Sequence, residues 1–280
     1  MTIHDSHAER ELAVIDPDLE DAMLLREPPS LRLDGKVAWV TGASRGLGRA
    51  LAFALAGAGA ELLLTARNGA ALGEVAQKIE ASGGSAIVAK GSVDVAENVQ
   101  AAASLAQERW GRIDVLINNA GISPSFSRAE HVTEADWRAV LDVNLTGAFM
   151  CAQQALPLLE AAGGGAIVNV SSVTGSRGHE RLLPYAVSKA GLELLTRTLA
   201  IEWATKGIRV NSVAPGYLKT DMSVALREHG RWGPELLRRI PLGRFGDRSE
   251  VVPAVLLLAG PASSYITGTT LFVDGGWVAL

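Results

Sequence analysis

The chain is poor in cysteine, and its histidines do not cluster. Cys151 is the single cysteine among 280 residues, which excludes an internal disulfide and fits a reducing cytosol. Its apolar neighbours indicate a buried helix, so we interpret this thiol as an inert part of the core. The five histidines are scattered, and no group of His and Cys has the spacing of a metal site. We therefore expect no bound metal.

An excess of either charge is also missing, as are long apolar runs. The 26 basic residues nearly balance 30 acidic ones, for a net charge of −4, which argues against a nucleic-acid or anionic-membrane partner. The longest apolar stretches, Leu51–Ala66 and Val251–Ala262, are interrupted and too short to cross a bilayer. The first residues lack the apolar core of a signal peptide. We therefore predict a cytoplasmic protein with no nucleic-acid and no membrane partner.

Residues 1–32 differ in composition from the rest of the chain. They are polar, acidic between residues 16 and 21, and contain the pair Pro28-Pro29. Such a segment has little apolar surface to bury. Two interpretations stay open, a flexible tail and a strap that lies over a neighbouring subunit. The remaining residues, 33–280, are predicted to form one domain.

Short apolar runs alternate with amphipathic segments from residue 36 onward. The run Val37–Thr41 is almost wholly apolar, as expected of a parallel strand buried on both faces. Further strands are predicted at Glu61–Ala66, Ala86–Lys90, Asp114–Asn118, Ala166–Ser171, Arg209–Ala214 and Thr270–Val273. Helices are predicted near 46–58, 69–82, 96–110, 133–161, 184–206 and 248–260. The alternation predicts a single α/β domain, a doubly wound, seven-stranded parallel sheet with helices on both faces.

Four motifs fall at the ends of predicted strands. Gly42 follows the first strand, Asn118 ends the fourth, Ser172 follows the fifth and Pro215 follows the sixth. In a doubly wound sheet the ligand binds at the carboxyl ends of the strands, where the winding reverses. The four motifs are therefore expected to meet at one active site.

The segment Thr41–Gly48, T-G-A-S-R-G-L-G, joins a predicted strand to a predicted helix. Glycine permits a positive φ and lets backbone N–H groups approach a pyrophosphate at a helix N-terminus. The spacing G-x-x-x-G-x-G differs from G-x-G-x-x-G, and the segment has no Walker lysine. Alone it is equally compatible with a plain glycine turn, but its place between a strand and a helix favours a phosphate site.

Tyr185 and Lys189 stand four residues apart in Y-A-V-S-K, and Ser172 lies thirteen residues before the tyrosine. Residues at i and i+4 share one helix face, and most such pairs are merely solvated surface. Here the pair accompanies a second hydroxyl and a candidate phosphate site. The combination indicates a proton donor, Tyr185, whose ionisation is tuned by Lys189.

Together these motifs resemble the short-chain dehydrogenase/reductase family, in the tyrosine-dependent branch of 3-oxoacyl-carrier-protein reductases and gluconate 5-dehydrogenase-like enzymes. The resemblance runs from about residue 33 to the C-terminus. It rests on T-G-A-S-R-G-L-G (41–48), N-N-A-G (118–121), D-V-N-L (142–145), V-N-V-S-S (168–172), Y-A-V-S-K (185–189), A-P-G (214–216) and V-D-G-G (273–276). It implies a Rossmann fold, a nicotinamide dinucleotide, and an oxidoreductase that interconverts ketones and secondary alcohols.

The resemblance also implies residue roles. Tyr185 is the general acid for reduction, Ser172 holds the substrate oxygen, and Lys189 also binds the ribose hydroxyls. Asn144 keeps a water in the proton relay, and Ser171 is the competing serine, although the family's spacing fits Ser172. The implied cofactor site comprises Gly42, Ser44, Arg45, Gly46, Leu47, Gly48, Arg67, Ser92, Val93, Asn118, Ala120, Gly121, Tyr185, Lys189, Pro215, Gly216, Leu218 and Thr220.

The pKa of Tyr185 decides how readily it exchanges a proton. A free tyrosine has a pKa of about 10, too high for a base near neutrality. A positive charge on Lys189, one helical turn away, favours the phenolate, as does the oxidised nicotinamide. We therefore expect the pKa of Tyr185 to be lowered towards neutrality.

The cofactor's identity follows from the charges near the second strand. A carboxylate at the end of this strand would bind the ribose diol of NAD, whereas cations suit the 2′-phosphate of NADP. Here Ala66 is followed by Arg67, and Arg45 lies in the glycine turn. Unless these arginines simply face solvent, they favour NADP(H) over NAD(H).

One position departs from the family pattern. Members usually carry Asp-Val after the third strand to hold the adenine, and this chain has Ser92-Val93, with Asp94 next. Whether Ser92 or Asp94 makes the adenine contact stays open.

The substrate is less well defined than the cofactor. The pocket is predicted to be closed by loops at 122–131, 175–183 and 217–241, the last a mobile helical lid. The polar segment 179–181 could grip hydroxyls or a carboxylate, or it could be a solvated loop. The candidate substrate contacts are Ser172, Arg181, Leu182, Tyr217 and Met222.

Three functions stay open. The first is a 3-oxoacyl or general ketone reductase, and the second is a keto-sugar-acid reductase like gluconate 5-dehydrogenase. The third is a catalytically silent NADP(H) sensor, which the intact set of Ser172, Tyr185 and Lys189 disfavours. By analogy with the family, the apolar helices at 133–161 and 184–206 predict a homotetramer.

Overall fold

The computed structural model describes residues 30–220 and 223–280, and Leu31–Leu280 form one compact unit. The extension predicted at residues 1–32 lies almost wholly outside the described residues. Its role and the domain boundary at residue 33 stay predictions.

The sheet matches the predicted architecture. Its seven strands pair in the order β3-β2-β1-β4-β5-β6-β7, and all the pairs are parallel. This order, with the reversal between β1 and β4, is that of a doubly wound Rossmann sheet. The strands are β1 (Val37–Thr41), β2 (Glu61–Ala66), β3 (Ser85–Lys90), β4 (Val115–Asn118), β5 (Gly165–Val170), β6 (Ile208–Pro215) and β7 (Thr270–Val273).

The helices connect these strands across both faces of the sheet. The α-helices are α1 (Gly46–Gly57), α2 (Gly69–Ala81), α3 (Ala96–Trp110), α4 (Glu134–Leu141), α5 (Gly147–Ala161), α6 (Val173–Ser176), α7 (Leu183–Glu202), α8 (Val224–Arg227), α9 (Trp232–Arg238) and α10 (Val252–Ala259). Short 3₁₀ turns cover Ala129–His131, Ala204–Lys206, Arg248–Glu250, Pro261–Ser263 and Trp277–Ala279.

The helix predicted at 133–161 is not a uniform α-helix. It begins at Thr133, whose side chain accepts a hydrogen bond from the Asp136 N–H at 3.1 Å. A π-helical turn, Asp142–Thr146, then separates α4 from α5. Such turns are frequent at functional sites, and this one carries Asn144.

Alternate residues of the strands build two apolar layers. Along β1, Ala38 and Val40 face the layer beneath α1, α2 and α10. Val37 and Trp39 face the opposite layer, with α3, α5 and α7. Both faces of the central strand are therefore buried, which explains why its sequence is apolar instead of alternating.

A third, smaller apolar cluster lies beyond the carboxyl ends of the strands. Val173, Leu236, Ile240 and Trp277 form its buried centre, and Tyr217 packs against them. It ties the short helix α9 to the C-terminal turn, outside the two main layers.

None of the helices within 30–220 and 223–280 combines the length and apolar character that a membrane span requires.

Candidate active site

A cavity of about 740 Å³ opens at the carboxyl ends of the strands, around the reversal between β1 and β4. Most of the predicted site residues line it, so the glycine turn and helix α7 contribute to one cavity. The predicted residues in its wall are Gly42, Ser44, Arg45, Gly46, Leu47, Gly48, Arg67, Ser92, Val93, Ala120, Gly121, Ser172, Leu182, Tyr185, Lys189, Pro215, Gly216, Tyr217, Leu218 and Thr220.

The glycine turn after β1 leaves no space for a side chain at Gly42 or Gly48. Gly42 has a φ of +66°, which favours glycine. A Cβ on Gly48 would lie 2.3 Å from the Gly42 carbonyl oxygen and 2.3 Å from Asn119 Nδ2. The backbone therefore forms a close cradle at the N-terminus of α1, which fits a dinucleotide pyrophosphate.

The predicted arginines lie at the same end of the cavity. Arg45 and Arg67 line its wall with exposed side chains, and no ion pair engages either within residues 30–220 and 223–280. Ser92 also lines the wall, and its hydroxyl donates a hydrogen bond to the Asp94 carboxylate. Asp94 therefore contacts Ser92, and Ser92 faces the cavity.

Two neighbouring asparagines at the end of β4 have different surroundings. Asn118 lies behind the cavity, where its Nδ2 donates to Asn169 Oδ1 at 2.9 Å and to the Ala148 carbonyl at 3.2 Å. Asn119 lines the cavity and donates to the Thr41 carbonyl at 2.9 Å. The prediction named Asn118, but Asn119 holds the glycine turn. The doubled asparagine of N-N-A-G was the available signal for it.

Helix α7 presents Tyr185 and Lys189 to the cavity. Lys189 Nζ lies 5.6 Å from the centre of the Tyr185 ring and donates to the Val170 carbonyl at 2.7 Å. The lysine is buried, and burial lowers its pKa to about 8.

The expected direction of the Tyr185 pKa shift was wrong for the chain by itself. Burial raises the pKa of Tyr185, and a hydrogen bond with Ser172 opposes the rise. Burial is the largest cause, because a phenolate loses its hydration in this wall. The lysine, whose ammonium donates to Val170, does not reverse the shift.

The structure gives the two adjacent serines different partners. Ser172 lines the cavity beside Tyr185, and its Oγ accepts hydrogen bonds from Thr174 N at 3.3 Å and Thr174 Oγ1 at 3.0 Å. Ser171 instead donates to Glu193 Oε1 at 2.9 Å, and Ser176 donates to Glu193 Oε2 at 2.9 Å. Glu193 therefore holds Ser171, whereas Ser172 has no hydrogen bond to this carboxylate among the described residues.

Asn144 lies behind the cavity wall and connects three segments. Its Oδ1 accepts from Ile122 N at 2.8 Å, and its Nδ2 donates to Ile122 O at 3.0 Å and to Ser188 Oγ at 3.1 Å. Ser188 in turn donates to the Tyr185 carbonyl at 2.7 Å. Through Asn144, the π-helical turn thus connects the loop that follows β4 to Ser188 and the first turn of α7.

The far end of the cavity is lined by apolar side chains and one further tyrosine. Ile122, Leu182 and Leu226 contribute to this wall together with Tyr217. Arg181, a predicted substrate contact, lies outside this cavity, with its guanidinium carbon 5.7 Å from the Phe126 ring centre. Met222 lies outside the described residues.

The chain matches the family model described as "Enoyl-(Acyl carrier protein) reductase" over residues 42–278. The match spans the glycine turn, the catalytic helix and the cluster at the end of β7. The chain belongs to the short-chain dehydrogenase/reductase family. The members that it resembles are dehydrogenases and reductases, so it is an oxidoreductase of this family.

Three relatives of this short-chain dehydrogenase/reductase illustrate the range of substrates. It is 41% identical over 88% of its length to a 3-oxoacyl-(acyl-carrier-protein) reductase of Synechocystis sp., of which the match covers 98%. It is 42% identical over 88% of its length to a galactitol 2-dehydrogenase (L-tagatose-forming) of Cereibacter sphaeroides, covering 96% of that protein. A gluconate 5-dehydrogenase of Burkholderia cenocepacia, solved with NADP and tartrate, superposes with a TM-score of 0.86 at 37% identity, covering 89% of this chain and 98% of that one.

Sequence reasoning missed Glu193 in this short-chain dehydrogenase/reductase. Its carboxylate is buried one helical turn beyond Lys189 and holds the hydroxyls of Ser171 and Ser176, on either side of Ser172. The available signal was the place of Glu193 one helical turn beyond Lys189, on the same face of the helix.

Proposed function

We propose that the chain interconverts a ketone and a secondary alcohol with NADP(H), and that Tyr185 exchanges the proton. The observation that carries this proposal is the convergence of Ser172, Tyr185 and Lys189 on the cavity that also holds the glycine turn. A catalytically silent sensor would need the turn but none of the three side chains.

The side chains suggest a division of labour during reduction. Ser172 and Tyr185 line the same cavity, and Ser172 is close enough to oppose the rise in the Tyr185 pKa, so a carbonyl oxygen placed between them would accept a hydrogen bond from each hydroxyl. Tyr185 then transfers its proton to that oxygen as charge develops there. Bound NADPH would supply hydride to the carbonyl carbon and become NADP⁺.

Lys189 contributes a positive charge close to the resulting phenolate. With its pKa near 8, it is mostly protonated at pH 7 and stabilises the negative charge that Tyr185 acquires. Its distance to the ring and its hydrogen bond to Val170 fix the ammonium on the cavity side of α7. We assign Asn144 to the proton relay, as a bridge between Ile122 and α7.

The charges at the nucleotide end favour NADP(H). Arg45 and Arg67 leave two guanidinium groups available for a 2′-phosphate, and the described cavity wall contains no carboxylate that would bind a ribose diol instead. The gluconate 5-dehydrogenase relative holds NADP, which supports the same choice. At the adenine, we propose Ser92, with Asp94 as its hydrogen-bond partner.

A keto-sugar-acid reductase is the second candidate, because the gluconate 5-dehydrogenase relative was solved with tartrate, a hydroxy acid. The predicted homotetramer and cytoplasmic location also stay proposals by analogy with the family.

The test follows NADPH absorbance with a carbonyl panel of diketones, keto esters, 5-ketogluconate and an acetoacetyl thioester, with NADH in parallel. Turnover with NADPH and little with NADH would support the proposal. Tight NADPH binding without turnover of any carbonyl would contradict the enzyme proposal in favour of a sensor.

A further inference from the structure

Tyr217 occupies a fixed position at the substrate end of the cavity. It follows β6 by two residues and lines the same cavity as Tyr185. Its ring meets Trp277 edge-on, with 4.8 Å between ring centres, and lies 6.2 Å from the ring of His179. Because the Trp277 and His179 rings lie against the Tyr217 ring, the hydroxyl is the part of Tyr217 that remains to hydrogen-bond a ligand.

The Tyr217 hydroxyl is buried and has no hydrogen-bond partner among residues 30–220 and 223–280. Most buried polar groups in proteins are paired, so an unpaired one at an active site requires an explanation. Burial raises the pKa of Tyr217, Arg239 opposes the rise, and ionisation of Tyr185 adds to it. Tyr217 and Tyr185 line the same cavity, so one substrate can contact both residues.

The charges around the cavity limit the class of that substrate. Among the described residues of its wall, the charged side chains are Arg45, Arg67 and Lys189. The two arginines follow β1 and β2, on the far side of the sheet reversal from Tyr217. Ile122, Leu182 and Leu226 belong to the same wall as Tyr217. Arg239 lies against the Trp277 ring, which packs on Tyr217, and is not among the residues that line the cavity.

We propose that Tyr217 selects the substrate by hydrogen-bonding a second, uncharged oxygen next to the carbonyl that Tyr185 protonates. The preferred substrates are then neutral hydroxyketones or diketones, in preference to simple ketones and keto acids. This inference rests on the proposed reductase function. A site that hydrogen-bonds a substrate hydroxyl discriminates strongly against the analogue that lacks it, because its own polar group is then left unpaired.

The three tyrosines of the chain provide a matched set of hydroxyl deletions. The substrates are 3-hydroxybutan-2-one and butan-2-one, which share a carbon skeleton and differ by one hydroxyl. The measured quantity is the ratio of their kcat/KM values with NADPH, in the wild type, Tyr217→Phe and Tyr265→Phe. Tyr265 is fully exposed and serves as the control.

We expect the ratio of the two kcat/KM values to be at least about tenfold in the wild type and in Tyr265→Phe, because one hydrogen bond distinguishes the two substrates. In Tyr217→Phe the ratio should fall towards one. A wild-type ratio near one, or an unchanged ratio in Tyr217→Phe, overturns the inference while leaving the reductase function intact. A complete lack of turnover across the carbonyl panel overturns the proposed function and this inference with it.

Two further measurements address binding and charge. Butane-2,3-diol should bind the complex with NADPH at least several-fold more tightly than butan-2-ol, and Tyr217→Phe should remove this difference. Ethyl acetoacetate should be a better substrate than acetoacetate, because only the second carries a charge. Equal binding of the two alcohols, or preference for the carboxylate, would contradict the proposal.

Discussion

The two ends of the cavity are built in different ways. At the nucleotide end, the glycine turn is closely packed backbone: a Cβ on Gly48 would meet the Gly42 carbonyl, a Cβ on Gly42 would meet the Ala120 backbone, and Asn119 holds the turn through the Thr41 carbonyl. At the substrate end, the wall is made of side chains, among them Tyr217 and Leu226, carried by a loop and a one-turn helix.

This difference explains how one fold serves many substrates. The turn tolerates no added side chain at Gly42 or Gly48 because a Cβ at either position meets main-chain atoms. A side-chain wall can be exchanged residue by residue without moving the sheet. The nucleotide end therefore fixes the cofactor class, and the other end selects the substrate. Tyr185 lies where the two ends meet.

The largest effect is expected at this junction. Tyr185→Phe removes the proton donor, and general acid–base catalysis contributes about 100- to 10,000-fold. We expect kcat to fall by that range, while the NADPH dissociation constant changes far less. Steady-state kinetics and the fluorescence of bound NADPH measure the two quantities. Turnover above a tenth of the wild-type value would exclude Tyr185 as the acid.

The nucleotide end can be broken with one methyl group. A Cβ in Gly48→Ala would lie 2.3 Å from the Gly42 carbonyl oxygen, so the turn must shift. We expect NADPH affinity to drop roughly 100-fold, the scale of a displacement of about 1 Å in a site. Gly73→Ala is the matched control.

Gly73 lies in α2, and a Cβ there would meet nothing within 4 Å. The substitution should leave NADPH binding unchanged and raise the unfolding free energy by about 0.5–1 kcal/mol. Equal losses of affinity in the two variants would show that the turn has no special role.

The charge at the nucleotide end gives a smaller effect. Arg67→Asp replaces a cation in the wall with a carboxylate, which suits a ribose diol and repels a 2′-phosphate. The ratio of kcat/KM with NADPH to that with NADH should fall roughly 10- to 100-fold, the size of a charge-assisted hydrogen bond. The exposed Arg109 on α3 provides a control substitution to aspartate. Unchanged selectivity in Arg67→Asp would remove this residue from the phosphate site.

The smallest effect on kcat is expected for substitutions of Glu193, which lies behind Ser172. Glu193→Leu removes the carboxylate that accepts from the buried Ser171 hydroxyl and the exposed Ser176 hydroxyl, which costs about 1–3 kcal/mol of unfolding free energy. Ser171 keeps a longer hydrogen bond to the Lys189 carbonyl, at 3.3 Å. If Glu193 positions Ser172, kcat should also fall several-fold with little change in the KM for NADPH. Glu193→Gln, which keeps an accepting oxygen, should restore most of kcat. A loss of stability with unchanged kcat would show a purely structural role.

The sequence predicted the nucleotide end far better than the substrate end. The strands before Gly42 and Ser172 are short apolar runs that are easily recognised, and the place of the glycines between a strand and a helix favoured a phosphate site. Asn118 and Asn119 could not be separated because the turn after β4 decides which side chain faces the cavity. The π-helical turn was missed, since one extra residue leaves no trace in an Ala- and Leu-rich segment.

The properties that depend on burial were also beyond sequence reasoning. The direction of the Tyr185 pKa shift depends on competition between desolvation and a nearby charge, and spacing gives only the second. Glu193 was missed because its two hydroxyl partners are 17 and 22 residues away in the chain. The orphaned hydroxyl of Tyr217 likewise depends on which neighbours three separate segments supply.

The π-helical turn at Asp142–Thr146 changes the helical register between α4 and α5, which otherwise form one continuous helix. A π turn holds one residue more than an α turn, and each residue advances an α-helix by about 100°. The orientation of α4 and Asn144 is thereby set independently of α5, whose buried face packs against the sheet. Deleting one residue would leave a smooth helix with an intact α5 face, yet aim position 144 away from Ile122. The extra residue thus rotates α4 and Asn144 relative to α5, so that α5 can pack against the core while Asn144 contacts Ile122 at the active site.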